Sequence, residues 1–172
     1  MAIPVYKVGI VLMRTDGAVL IMRPIPKNPG EIPKFVLPRG SRQYRDAAGD
    51  WHDVRDEASA TLHADTLEPL PRTLAREAEE EAGLTPAQLT VLQTDGRLTE
   101  IGTRLFASAT KPPYAVHWFA ARLQEHEVQA LIPATDALEV RWVDLDHIRT
   151  LAAVGNFSAG YIPVIEEALR TK

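Results

Sequence analysis

Apolar residues open the chain as a near-continuous run, IPVYKVGIVLMR at 3–14, and resume as AVLIM at 18–22 after Thr15-Asp16-Gly17. β-Branched residues at this density, broken by Asp-Gly, predict a β-hairpin. The pattern then fails in RPIPKNPGEIPK, where four prolines and a glycine leave too few backbone donors for regular structure, so an ordered loop is expected. FVL at 35–37 returns as a short strand running into Pro38-Arg39-Gly40. Residues 41–67 are polar and charged, and RQYRDAAGDWHDVRD predicts a second hairpin turning at Ala47 to Asp50, with Tyr44 and Trp51 on its arms.

The spacing changes to a helical one from Leu70 to Ala82. Pro69 and Pro71 are tolerated in the first turn, and Gly83 is placed to end the helix in a left-handed conformation. Beyond it, TVLQTD, RLTEI, TRLFAS and YAVHWFAARL read as strands separated by glycine or proline turns, and EVRWV at 139–143 as a further strand. DLDHIRTLAAV and SAGYIPVIEEALRTK predict two terminal helices, the second begun or interrupted near Pro163. No repeat, linker or low-complexity tract breaks the series, and 172 residues fit one domain. The expected class is α/β (α+β), a mixed sheet between helices.

Composition narrows the chemistry. With no cysteine there is no disulfide, thiolate nucleophile or sulfur-ligated zinc, so any metal must be held by oxygen or imidazole. The five histidines show no ligand spacing. No apolar run approaches the roughly 20 residues of a membrane span, and MAIPVYKVGI lacks the features of a secretion signal, so the cytoplasm is the expected compartment. A net charge of −4 argues against broad nucleic-acid binding while leaving room for a nucleotide or an RNA end at one local site.

REAEEEAGL at 76–84 concentrates four glutamates beside an arginine. At about 100° per residue, Leu70, Leu74, Ala75, Ala78 and Ala82 share the buried arc. Glu77, Glu80 and Glu81 lie along one flank of it, and Glu79 falls on the other side, toward solvent. Like charges three and four apart in a last turn repel one another and oppose the helix dipole. A run of glutamates alone is an ordinary solvated face; a divalent cation would reverse both penalties, and hard oxygen ligands favour magnesium or manganese.

The surroundings of the run are specific. Glu68, seven residues, then Arg76-Glu77-Ala78-Glu79-Glu80-Glu81-Ala82-Gly83-Leu84 resembles the second part of the signature of the Nudix hydrolase (MutT-like) family, G-x5-E-x7-R-E-U-x-E-E-x-G-U, with Ala78 and Leu84 in the aliphatic places U. Leu37-Pro38-Arg39-Gly40 is similar to the usual lead-in. The resemblance departs from the pattern at one point, since 27 residues, not five, separate Gly40 from Glu68. An insertion at about 41–67 in the signature loop is the preferred explanation.

The resemblance implies an α/β/α sandwich with a mixed central β-sheet and a hydrolase that cleaves a nucleoside diphosphate linked to another group, with water and a divalent metal. Carried over, Glu77, Glu80 and Glu81 with the Gly40 carbonyl would hold Mg2+ or Mn2+. Glu77 or Glu81 is the first choice of general base, with Glu100 as an outside candidate. Glu68, Arg76 and Gly83 are structural, the first two as an ion pair fixing the loop to the helix. Arg39 would bind a phosphate, with Arg42 and Arg45 nearby in sequence, and Tyr114, after the Lys111-Pro112-Pro113 turn, would present its ring to a base or ribose unless it is core. Trp118 and Trp142 are expected in the core. The Leu-Pro-Arg-Gly lead-in points to dinucleoside polyphosphates or diphosphoinositol polyphosphates. The alternatives are an RNA 5′ end pyrophosphohydrolase and a non-catalytic nucleotide-binding regulator, and a homodimer is expected by analogy.

Overall fold

The computed structural model describes residues 5–108 and 111–171. Ile3 and Pro4 of the expected first strand, and Lys172 of the expected last helix, lie outside the described residues. The first half of the chain forms β1 (Val5–Arg14), β2 (Val19–Pro24), β3 (Arg39–Ser41), β4 (Gln43–Arg45), β5 (Trp51–Asp53), α1 (Glu57–Leu62) and α2 (Leu70–Ala82). The second half adds α3 (Pro86–Thr94), β6 (Leu98–Ser108), β7 (Lys111–Leu123), α4 (Glu125–Gln129), β8 (Ala137–Val143), α5 (Leu145–Ala153) and α6 (Ile162–Arg170).

The main sheet runs β6-β7-β1-β2-β8. β1 is parallel to β7 on one side; on the other it pairs antiparallel with β3, Val8 opposite Gly40, and farther along with β2, Met13 opposite Val19. The unbroken apolar run of β1 follows from this central place, because both of its faces are covered. Val8, Ile10 and Leu12 pack with Leu20, Leu74, Ala78 and Ala82 on the α2 side. The alternate set, Val11 and Met13, packs with Ile21, Ile148, Val164, Ile165 and Ala168 on the side of α5 and α6. This is the mixed sheet between helix layers that the pattern of strands and helices predicts. Trp118 of β7 is fully buried, and its ring occupies the space a side chain at Gly9 would need.

Residues 41–67 fold onto one end of the sheet. Tyr44 pairs with His52 and Arg45 with Trp51, so the arms of the second hairpin stand where the sequence pattern puts them. α1, which that pattern does not reveal, follows; Asp56 caps it by accepting from the Ser59 N–H at 2.8 Å. Val54 and Ala60 form a small core with Tyr6 of β1, and Tyr44, Leu67 and Tyr114 pack around it. The segment leaves and rejoins the fold at one point, where the Glu68 N–H donates to the Gln43 carbonyl at 2.7 Å.

Three expectations are corrected. TVLQTD belongs to helix α3, not a strand: Thr85 caps it, accepting from the Gln88 N–H at 3.3 Å while its own N–H donates to the Gln88 side chain at 3.0 Å, and Pro86 opens its first turn. RLTEI and TRLFAS are one strand, β6, because Gly102 at φ 101° absorbs a register shift instead of turning the chain. Pro112 and Pro113 lie within β7, beyond the residues that pair with β1, and not in a turn before it.

Candidate active site

α2 begins with prolines at Pro69 and Pro71, whose missing N–H groups cost nothing in a first turn. It ends at Gly83, φ 72°, where the Gly83 N–H reaches the Glu79 carbonyl at 2.9 Å and the Leu84 N–H the Ala78 carbonyl at 3.0 Å. These ends fix which flank of α2 faces β3. Gly40 of β3 meets α2 at Glu77, and a side chain at Gly40 would overlap the Glu77 carboxylate.

Glu68 anchors the flank. It is 1% exposed and accepts from Arg76 Nη2 at 2.9 Å, Thr73 Oγ1 at 3.0 Å and the Gln43 N–H at 3.3 Å. Arg76 also donates to the Ser41 carbonyl at 2.7 Å, to Glu77 at 2.6 Å and to Glu80 at 3.2 Å. Burial alone would lower the Arg76 guanidinium; Glu68 and Glu77 together raise it above its usual value. Arg76 therefore sits between Glu77 and Glu80, and among the described residues no three carboxylate or imidazole side chains stand together as a ready metal cage. Glu79 is half-buried rather than turned fully to solvent.

Glu77 and Glu81 are poorly compensated anions. Burial pushes the Glu77 carboxyl up to about 7 despite Arg76. Burial, then repulsion from Glu77 and Asp136, pushes Glu81 up to about 8, with Arg39 opposing. Two carboxylates that resist ionisation, Glu77 buried beside the Gly40 backbone and Glu81 half-buried, without sulfur or imidazole, suit a hard dication, which would offset both the burial and the repulsion that raise them. The donor set fits.

Arg39 lies next to Gly40. Its guanidinium is 5.7 Å from the Tyr114 ring and 5.6 Å from the Tyr161 ring, and its buried Nε has no hydrogen-bond partner among the described residues. Tyr114 is half-buried, stacks on Phe106 at 5.7 Å and also lines the cleft with Arg39.

Comparison with known proteins decides the family. The profile of the NUDIX domain matches residues 4–165. The chain belongs to the NUDIX family. As a Nudix protein it is a hydrolase acting on pyrophosphate bonds. Among curated protein sequences none matches. Solved structures do, including the MutT protein from Methanosarcina mazei Go1, at 18% identity and TM-score 0.57 over 99% of this chain and 96% of that one. An Ap4A hydrolase binary complex of C. elegans aligns at 17% identity and TM-score 0.55, covering 95% and 94%. The NUDIX domain of Shewanella oneidensis NrtR complexed with ADP ribose aligns at 16% and 0.57, covering 98% and 88%. At these identities the likeness is one of fold.

Within the Nudix fold, other sequence candidates take different places. Arg42 is spent on backbone, donating to the Glu68 carbonyl at 2.8 Å and the Val5 carbonyl at 3.0 Å. Arg45 donates to the Gly49 carbonyl at 3.0 Å within its own hairpin. Glu100 is exposed and paired with His117 at 2.6 Å. Trp118 is core, whereas Trp142 is half-buried beneath Arg14. The sequence pattern does not single out Lys7, Lys27 and Arg55. Lys7, the lone cation inside the apolar run of β1, is the one whose position carried a signal. Its amine donates to Ser41 Oγ at 3.1 Å and is lowered to about 8, by burial first and Arg39 second.

Proposed function

We propose that this Nudix hydrolase cleaves a phosphoanhydride of a nucleoside diphosphate-linked substrate with the help of a divalent ion. The observation that carries the reading is the buried Glu77 carboxylate against the Gly40 backbone, with the half-buried Glu81 one helical turn on close enough to repel it. Glu77, Glu80 and Glu81, with the Gly40 carbonyl, would hold Mg2+ or Mn2+, which when bound supplies charge neutralisation of the phosphates and an activated water. Glu81 makes no hydrogen bond among the described residues, which leaves its carboxylate open to a water, so it is the preferred base, with Glu77, paired to Arg76, second. Arg39, which lines the cleft with Tyr114, takes a phosphate oxygen. Tyr114 borders the base or ribose, and Glu68 with Arg76 holds the residue 41–67 insertion to α2.

The test is phosphate release from a nucleotide panel with magnesium and with manganese, for the wild type and E80Q/E81Q. The expected result is metal-dependent turnover that falls by about 100-fold or more in the variant with the fold intact by circular dichroism. Unchanged turnover in the variant refutes the assignment. The alternative outcome is a Nudix-fold regulator that binds nucleotide without cleaving it. That reading predicts affinity with no metal-dependent turnover, and a triphosphorylated oligonucleotide in the panel tests the RNA 5′ end alternative.

A further inference from the structure

Two clefts flank the site, of about 870 and about 650 Å3, and three cations, Lys7, Lys27 and Arg55, line both. They come from β1, from the proline-rich loop after β2 and from the link between β5 and α1, so only the fold brings them together. Arg39 lines the smaller cleft as a fourth. None of the four forms an ion pair among the described residues, whereas Arg72, Arg76, Arg97, Arg104 and Arg149 each hold a carboxylate. The anions on the same walls are partly committed: Asp53 accepts from the Gln43 amide at 3.0 Å and Asp56 caps α1. Glu57 remains beside them.

The overall charge of −4 makes such a gathering of unpaired cations uncharacteristic of the surface. It begins at the chemistry, since Lys7 is paired in register with Ser41 and its neighbour Val8 with Gly40. On the hydrolase reading, Arg39 and a divalent cation held by the α2 carboxylates would serve a substrate with two phosphates. Three more cations extending away from Gly40 match further phosphates. Resting on the proposed pyrophosphohydrolase reading, we propose that Lys7, Lys27 and Arg55 form a second anion subsite, completed by residues 41–67, that selects substrates carrying three or more phosphates. Lys27 and Arg55 are its specificity-determining residues.

Two measurements on the full chain test this. In the first, calorimetry follows inorganic tripolyphosphate binding to the metal-free wild type, K27A/R55A and R55K. Both replaced side chains are exposed, so the fold should survive, and melting curves check it. The expected result is binding that weakens with salt, is lost by about tenfold or more in K27A/R55A and is largely kept in R55K. Equal binding by wild type and K27A/R55A overturns the proposal. In the second, kcat/KM is compared for a dinucleoside tetraphosphate, a nucleoside triphosphate, a diphosphoinositol polyphosphate and a nucleoside diphosphate sugar. The preference for the substrates with three or more phosphates over the two-phosphate one should fall about tenfold in K27A/R55A, chiefly through KM. An unchanged ratio overturns the proposal, and whichever of the three is preferred identifies the phosphate source. If no substrate is hydrolysed, the pyrophosphohydrolase reading fails while the tripolyphosphate measurement still decides the subsite.

Discussion

At Gly40 the absence of a side chain lets the Glu77 carboxylate come down onto the β3 backbone. That closeness strips water from Glu77, and Glu81 is shielded in turn. In the ion-free protein their folded-state values, about 7 and about 8, lie above the ordinary 4.5. Between 4.5 and those values the folded chain holds protons that the unfolded chain has released. The stabilisation is therefore complete below 4.5 and is lost as pH rises through 7 and then 8. Melting temperatures of the ion-free protein should fall from pH 6 to about 8.5. E81Q should flatten the upper part of that fall, and magnesium should offset it in the wild type; a flat wild-type profile without ion would contradict the burial of these groups.

At the scale of elements, Gly83 sets where α2 stops. Its left-handed conformation and the Ile132 carbonyl, which a side chain there would overlap, both exclude a Cβ. Gly83→Ala should lower unfolding free energy by about 2 kcal/mol or more, measured by denaturant titration, with the m-value unchanged. α2 was legible to the residue because its limits are local: two prolines at one end, a glycine at the other and an apolar stripe between. α3 is equally local, but Thr90 and Val91 suggest a strand, and the stronger Thr85–Gln88 capping signal lies ahead of them. β6 was split because Gly102 resembles a turn when its neighbour β7 is unseen. Most of the α2 flank could be read from spacing. The cations of the clefts could not, since Lys7, Lys27 and Arg55 are distant in sequence and meet only through β1, the loop and the hairpin. Likewise, nothing local says that Arg42 will be consumed by backbone carbonyls.

Across the whole molecule, the two apolar layers on the main sheet and the small core around Tyr6 are separate clusters. The bond between Glu68 and Gln43 closes residues 44–67 at a neck. Excision of residues 44–66 with a short glycine link should leave a chain that still unfolds in one transition. Its melting temperature should drop by about 5–10 °C, as Tyr6 loses the cover of Val54 and Ala60. Circular dichroism and calorimetry would show it; a molten, non-cooperative product would mean that the sheet depends on the hairpin. No helix among the described residues is long and apolar enough to cross a membrane.

Two of the three indoles report on different parts of the molecule. Trp118 is sealed between strand and helices, while Trp51 stands in the wall of the larger cleft with the Arg72 guanidinium 4.4 Å from its ring. Emission from the first tracks denaturation and that from the second responds to an anion arriving nearby, so intrinsic fluorescence distinguishes loss of structure from occupancy without any attached dye.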